Sequence, residues 1–214
     1  VEMVRRLYPY QYSQQLQTLA KKIVSVTRTG QAPDPADLQA FYELENRIDA
    51  FQQQEIVKLA QEISKHLQTH PVDFIGFKLW TGAGFAGVKI IAEYLKKAHP
   101  QLPIIGGGPH VDWYREMIFN VTAGFDVLVY GEGEETITLL ADHFAGKIEL
   151  EKIPNLIFKK AGEIVTTAEK RITDLNQLPV PVYDSSIYPA MGNSQKIKVL
   201  FIDESRGCPN KCNF

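Results

Sequence analysis

The sequence predicts an α/β chain: a parallel sheet flanked by helices, with a helical segment before it and a β-hairpin and linker after it. Three observations carry this. The runs "VDFIGFKLW", "LPIIGGG" and "FDVLVYGEGEE" are short, apolar and rich in β-branched or aromatic residues. Each leads through a glycine-containing turn into an amphipathic helical stretch. Successive strand–loop–helix units place their strands in parallel, with the helices packed on the sheet faces.

Residues 1–70 read as helix. Leu16, Leu19, Ala20, Ile23 and Val24 recur at helical spacing until "TGQAPDP" interrupts them. Asp34 before Pro35 is an N-cap signal with proline at the first helical position. Apolar positions from Leu38 through Leu67 continue the pattern, and a break near residue 50 is expected because a single helix of that length is uncommon. From Pro71 the pattern changes. Helices are expected over 84–98, 113–123 and 134–144, which makes residues 71–150 a Rossmann-like unit. Residues 151–195 contain "NLIFKKAGEIVTT", a hairpin at the sheet's edge, and then the proline-rich linker "NQLPVPVYDSSIYPA". Residues 196–214 open with another strand, "KIKVLFIDESRGC".

Composition narrows the function classes. Of the 214 residues 44% are hydrophobic and 22% charged, with net charge −2, which argues against nucleic-acid or membrane binding driven by bulk charge. No apolar run approaches the roughly 20 residues of a membrane span. The only cysteines, Cys208 and Cys212, stand four apart. That is a poor disulfide framework and favours a reducing cytoplasm. The chain begins with Val1 and ends within this cysteine motif, as an excerpt of a longer protein would.

The three loops at the carboxyl ends of the strands are where ligands bind in open parallel sheets. They read "TGAG" from Thr81, "GGGPH" from Gly106 and "GEGE" from Gly131. A tight turn explains any one of them, whereas three together favour a large flat ligand approached by backbone. The candidate residues are Lys78, Trp80, Thr81 and Gly82 in the first loop, and Gly106, Gly107, Gly108 and His110 in the second. Gly131, Glu132 and Gly133 complete the set in the third. A lone loop histidine is ordinarily a hydrogen-bonding or surface residue, and Trp80 and Trp113 suit either a core or a lid. Neither GxGxxG nor a P-loop lysine motif is present, which weakens a dinucleotide or nucleoside triphosphate reading.

The run "DFIGFKLWTGAGFAGVKIIAEYLKKAHPQLPIIGGGPHV…FDVLVYGEGEETITLL", the hairpin, the linker and "ESRGCPNKCNF" occur in this order. Over residues 71–214 the chain resembles cobalamin-binding-domain radical SAM proteins, and among these the anaerobic magnesium-protoporphyrin monomethyl ester oxidative cyclases. The resemblance implies a cobalamin-binding-type sheet at the glycine loops. It also makes Cys208 and Cys212 two of the three CxxxCxxC thiolates of a 4Fe–4S cluster that binds S-adenosylmethionine. The implied partners are the radical SAM barrel of the same protein, which this sequence does not contain, and a small-molecule substrate for radical methyl transfer or oxidative cyclisation. In three respects the sequence departs from the family. Lys78 replaces the usual first-loop serine, no DxHxxG motif is present, and helices stand where two further strands normally open the domain. Two alternatives follow: a degenerate Rossmann-like docking module that no longer binds cobalamin, and a nucleotide or nucleotide-sugar binder using the same turns.

Overall fold

A computed structural model describes residues 6–180 together with 182 and 184. The chain divides into two compact units, Val1–Ile172 and Thr173–Phe214.

In the first unit, helix α1 (Ser13–Arg28) is followed by a turn and by α2 (Pro35–Thr69). The Asp34 side chain accepts the Ala36 N–H at 2.9 Å, and Pro35 needs no donor of its own at the first helical position. The expected break near residue 50 is absent, and α2 runs unbroken for 35 residues. Between Ala36 and Thr69 there is no glycine or proline to stop it, and each half has its own tertiary partner. The first half pairs with the amino-terminal segment through Lys22–Asp37 at 2.6 Å, Arg47 over the Tyr12 ring at 5.0 Å, and the edge of Tyr12 against Phe51 at 6.5 Å. The second half lays Ile56, Leu59, Ala60, Ile63 and Leu67 against the core of the sheet domain.

Five strands follow: β1 (Ile75–Lys78), β2 (Ile104–Gly107), β3 (Val127–Val129), β4 (Leu156–Lys160) and β5 (Glu163–Thr166). They lie in the order β1-β2-β3-β4-β5. The first three are parallel, with Ile75 beside Ile104 and Ile105 beside Val127. The expected hairpin adds β4 and β5 antiparallel at the edge, with Leu128 beside Ile157. Helix α3 (Ala83–Ala98) connects β1 to β2. The single helix expected over 113–123 is instead α4 (Pro109–Tyr114) and α5 (Ile118–Val121), joined by a 3-10 turn. Pro109 starts the helical segment earlier than expected, and Arg115 divides it by adopting φ 48°, with its guanidinium 4.0 Å from the centre of the Tyr130 ring. Helix α6 (Glu134–Phe144) runs from the third glycine loop, as expected.

Adjacent residues of one strand serve opposite cores. Ile104, Leu128 and Ile157 pack with Ala92 and Leu95 of α3 and Ala60 of α2. Ile105, Val127, Val129 and Leu156 pack with Leu140 of α6 and with Ile153. Both faces of the central strands are therefore apolar, which is why they read as continuous hydrophobic runs. Below the sheet, the Asp126 carboxylate joins two crossovers by accepting from Lys96 Nζ at 2.7 Å and Ile104 N–H at 2.8 Å.

The second unit contributes a 3-10 turn at Leu175–Gln177, where Asp174 Oδ1 accepts the Asn176 N–H at 3.0 Å. Residues 181, 183 and 185–195 of the linker, the expected strand "KIKVLFIDESRGC", and Cys208 and Cys212 lie outside the described residues.

The turn before β3 generates a packing prediction. At Gly124 a Cβ would stand 2.9 Å from the Ala92 Cβ and 3.0 Å from the Glu93 backbone nitrogen, both held fixed by α3. Gly124→Ala should therefore cost about 1–3 kcal/mol, read as a lower urea midpoint at unchanged slope. An unchanged midpoint would show that α3 and this turn are not in contact.

Candidate functional site at the carboxyl edge of the sheet

The first two loops are stitched together by backbone. Leu79 N–H donates to Gly107 O at 2.6 Å, and His110 N–H donates back to Leu79 O at 3.1 Å. The three consecutive glycines then do three different things. Gly106 faces the α3 core, where a Cβ would meet Leu79 Cδ1 at 2.8 Å. Gly107 faces the opposite side of the sheet. Gly108 turns the chain at φ 108°, a conformation that L side chains rarely adopt.

On the α6 side of this edge lies a cavity of ≈ 280 Å³. Of the sequence candidates, Lys78, Gly107, Gly108, Gly131 and Gly133 line it. The sequence reading did not name Gly76, Ile105, Val129 or Ile137, which line it as well. Gly76 carried a usable signal, since an isolated glycine inside a strand marks close approach by a ligand or backbone.

The other candidates sit elsewhere. Trp80 is 56% exposed with Lys78 Nζ 4.8 Å from its ring centre, and Thr81 and Gly82 are exposed on the turn that opens α3. Gly106 is closed inside the core. His110 is 8% exposed, stacks on Phe85 at 3.8 Å and meets the Tyr114 ring at a tilt, 4.5 Å between centres. Its Nδ1 has no hydrogen-bond partner, and burial holds its pKa below the usual histidine range, so the ring is neutral at pH 7. The Glu132 carboxylate accepts the Ile172 N–H, which ties the third loop to the chain leaving the sheet. Trp113, 77% exposed, is not a core residue.

Two residues absent from the sequence reading hold the third loop in place. Asp112 Oδ1 accepts the Gly131 N–H at 2.6 Å. Asn155, buried at φ 65°, donates from Nδ2 to Glu132 O at 2.8 Å and to Lys170 O at 2.9 Å, while its Oδ1 accepts the Lys170 N–H at 2.6 Å. Asparagine tolerates this left-handed conformation better than most residues.

A larger cavity, ≈ 480 Å³, lies at the amino edge of the sheet against Phe119, Phe144, Phe158 and the Lys96–Asp126 pair. No glycine lines it, whereas all three glycine-rich turns gather at the carboxyl edge, so the smaller cavity is the candidate site. Among the described residues no cluster of three or more His, Cys, Asp or Glu could hold a metal. No described helix is long and apolar enough to cross a membrane.

Residues 39–141 match the family described as the B12 binding domain. An uncharacterized methyltransferase of Pyrococcus horikoshii is 28% identical over 157 residues, covering 72% of this chain and 33% of that protein. The cobalamin-dependent radical SAM methyltransferase TokK of Streptomyces tokunonensis is 28% identical, covering 58% of this chain and 19% of its own. The anaerobic magnesium-protoporphyrin IX monomethyl ester cyclase of Synechocystis sp. is 29% identical, covering 56% and 24%. The solved apo structure of OxsB, a cobalamin-dependent S-adenosylmethionine radical enzyme, superposes with TM-score 0.47 and 19% identity over 59% of this chain and 18% of that one. The chain thus spans a third or less of the length of these curated relatives. Over residues 39–141 the chain is similar to the B12 binding domain, and its relatives include cobalamin-dependent radical SAM proteins.

Proposed function

We propose that this chain is the cobalamin-binding part of a radical SAM enzyme performing radical methyl transfer or oxidative cyclisation on an organic substrate, tetrapyrroles included. The observation that carries the proposal is the apolar cavity where the second and third glycine loops meet Gly76 and Lys78 of β1. Its volume, ≈ 280 Å³, is at the small end for ligand pockets and well below that of a whole corrinoid. It suits one part of the cofactor, with the remainder lying over the rim. A Cβ at Gly131 would meet nothing within 4 Å, so the rim there is open to a ligand. Ile105, Val129 and Ile137 offer apolar walls, and Gly107 and Gly133 leave backbone exposed to close approach.

When bound, cobalamin supplies a redox-active cobalt centre able to carry a methyl group. The protein's own residues contribute shape and exclusion of water. His110, neutral and buried, stacks on Phe85 and meets Tyr114 at a tilt, packed behind the second loop. Asp112 and Asn155 keep the third loop in position. In the parent enzyme, Cys208 and Cys212 would ligate the 4Fe–4S cluster that binds S-adenosylmethionine. Lys78, at the cavity wall where the family carries serine, favours a second reading in which the domain is a docking module without cofactor.

An anaerobic titration with hydroxocobalamin separates the two readings, with saturable binding expected from the cobalamin reading. Gly107→Leu should abolish binding while leaving the circular dichroism spectrum unchanged, because its side chain would project on the cavity side of β2. Unchanged affinity in that variant would remove the cofactor from this cavity.

The buried imidazole gives a pH dependence. The folded-state pKa of His110 lies below its unfolded value of roughly 6.5, so the unfolded chain takes up the proton first as pH falls. Stability is unaffected by this group above the unfolded value and declines as pH drops through it toward the folded one. The urea midpoint of the native chain should therefore fall between pH 7 and pH 5 more than that of His110→Phe. Equal declines would show that the ring is not held neutral.

For the cluster, a protein extended through the barrel should show the visible absorbance of a 4Fe–4S cluster after anaerobic reconstitution. Cys208→Ala and Cys212→Ala should each lose it, and a cluster surviving loss of both thiols would refute the motif.

A further inference from the structure

The cavity at the carboxyl edge is lined by glycine backbone and apolar side chains at every position except Lys78. The stem of Lys78 runs beside Gly108, its Cγ lying 3.3 Å from where a Cβ on that glycine would stand. Its ammonium rests 4.8 Å from the centre of the exposed Trp80 ring. Among the described residues no carboxylate comes within ion-pair distance of it. The ammonium is thus attached to a ligand cavity, held only by a cation–π contact, which is weak at an exposed ring.

A lining with one cation and no other charge matches a ligand with one anionic group and an otherwise neutral periphery. Corrinoids that carry a nucleotide loop have this charge pattern: their side chains are amides, and the phosphodiester of the loop is their one fixed anion. A nucleoside di- or triphosphate would bring several charges to a cavity with one counter-charge. An ammonium with three rotatable donors can meet a single phosphate oxygen without the planar fork an arginine would need. Resting on the cobalamin reading above, we infer that Lys78 recognises the phosphate of the corrinoid's nucleotide loop, so that this site selects phosphate-bearing corrinoids over those lacking the loop.

The test compares three probes by absorbance titration on the 214-residue chain: cobinamide, which has no phosphate, cobinamide phosphate, and hydroxocobalamin. The native chain should bind both phosphate-bearing corrinoids roughly tenfold more tightly than cobinamide, the difference expected for a charge-assisted hydrogen bond. Lys78→Met keeps the stem beside Gly108 and should erase that preference while leaving cobinamide affinity unchanged, which also confirms that the variant is folded. Lys78→Arg should retain most of the preference. A preference that survives in Lys78→Met, an equal loss for all three probes, or tighter cobalamin binding by the variant would each overturn the assignment while leaving the corrinoid site in place. Failure of the native chain to bind any of the three would overturn the assignment and the cobalamin reading together.

Discussion

The seating of Leu79 over Gly106 is the contact on which the carboxyl edge depends. A Cβ at Gly106 would stand 2.8 Å from Leu79 Cδ1 and 3.2 Å from both Leu128 Cδ2 and Phe125 Cδ1. Its absence lets Leu79 sink completely into the α3 core, a burial worth about 1.5–3 kcal/mol. From that anchor the Leu79 N–H and carbonyl engage Gly107 and His110, so the first two loops are locked together before any ligand arrives. Pleating then decides where the site lies. With Leu79 and Gly106 sealed on one face, Lys78 and Gly107 must project on the other.

That other face is covered unequally. Helix α6 lies over the β3–β4 side, where Leu140 meets Val127, Val129, Leu156 and Phe158. Among the described residues β1 is an edge strand, and its Gly76 and Lys78 are exposed. The cavity is a consequence of this strand order: it begins where the helix stops covering the sheet. The polar groups around it are largely spent on the protein itself, with Asp112 bonded to Gly131 and Asn155 to Glu132. A loop held in this way has little ordering entropy left to lose when a ligand binds. Among the described residues, what lines the cavity is therefore glycine backbone, apolar surface and the Lys78 side chain, whose ammonium rests over Trp80.

The helical segment follows the same principle of one partner per face. The first half of α2 depends on the amino-terminal segment, and its second half on α3. Ile56 lies 3.4 Å from where a Cβ on Gly87 would stand, near the start of α3. Single-turn breaks in long helices have identifiable causes such as proline, glycine or an inserted bulge. None acts here, and the apolar stripe simply changes partner.

By itself the sequence determined the order and type of the elements. Periods of 3.6 and 2 are written by near neighbours in the chain, which is why β1 through β5, α3, α6 and the Asp34 cap were all legible, as was the clustering of glycines at one edge. It did not determine which of three adjacent glycines faces the core, because the phase of the pleat is decided by what Leu79 packs against. Nor could it place His110, whose ring stacks on Phe85 of a different helix, α3. Asn155 and Asp112 escaped notice because their partners stand 23 and 19 residues away, and nothing local marks such a bond. The continuity of α2 and the division at Arg115 were settled the same way, by packing against α1, α3 and Tyr130. Close packing between distant segments overrides local preference wherever a side chain must fill or vacate a shared space, and at this edge of the sheet that space is the candidate site.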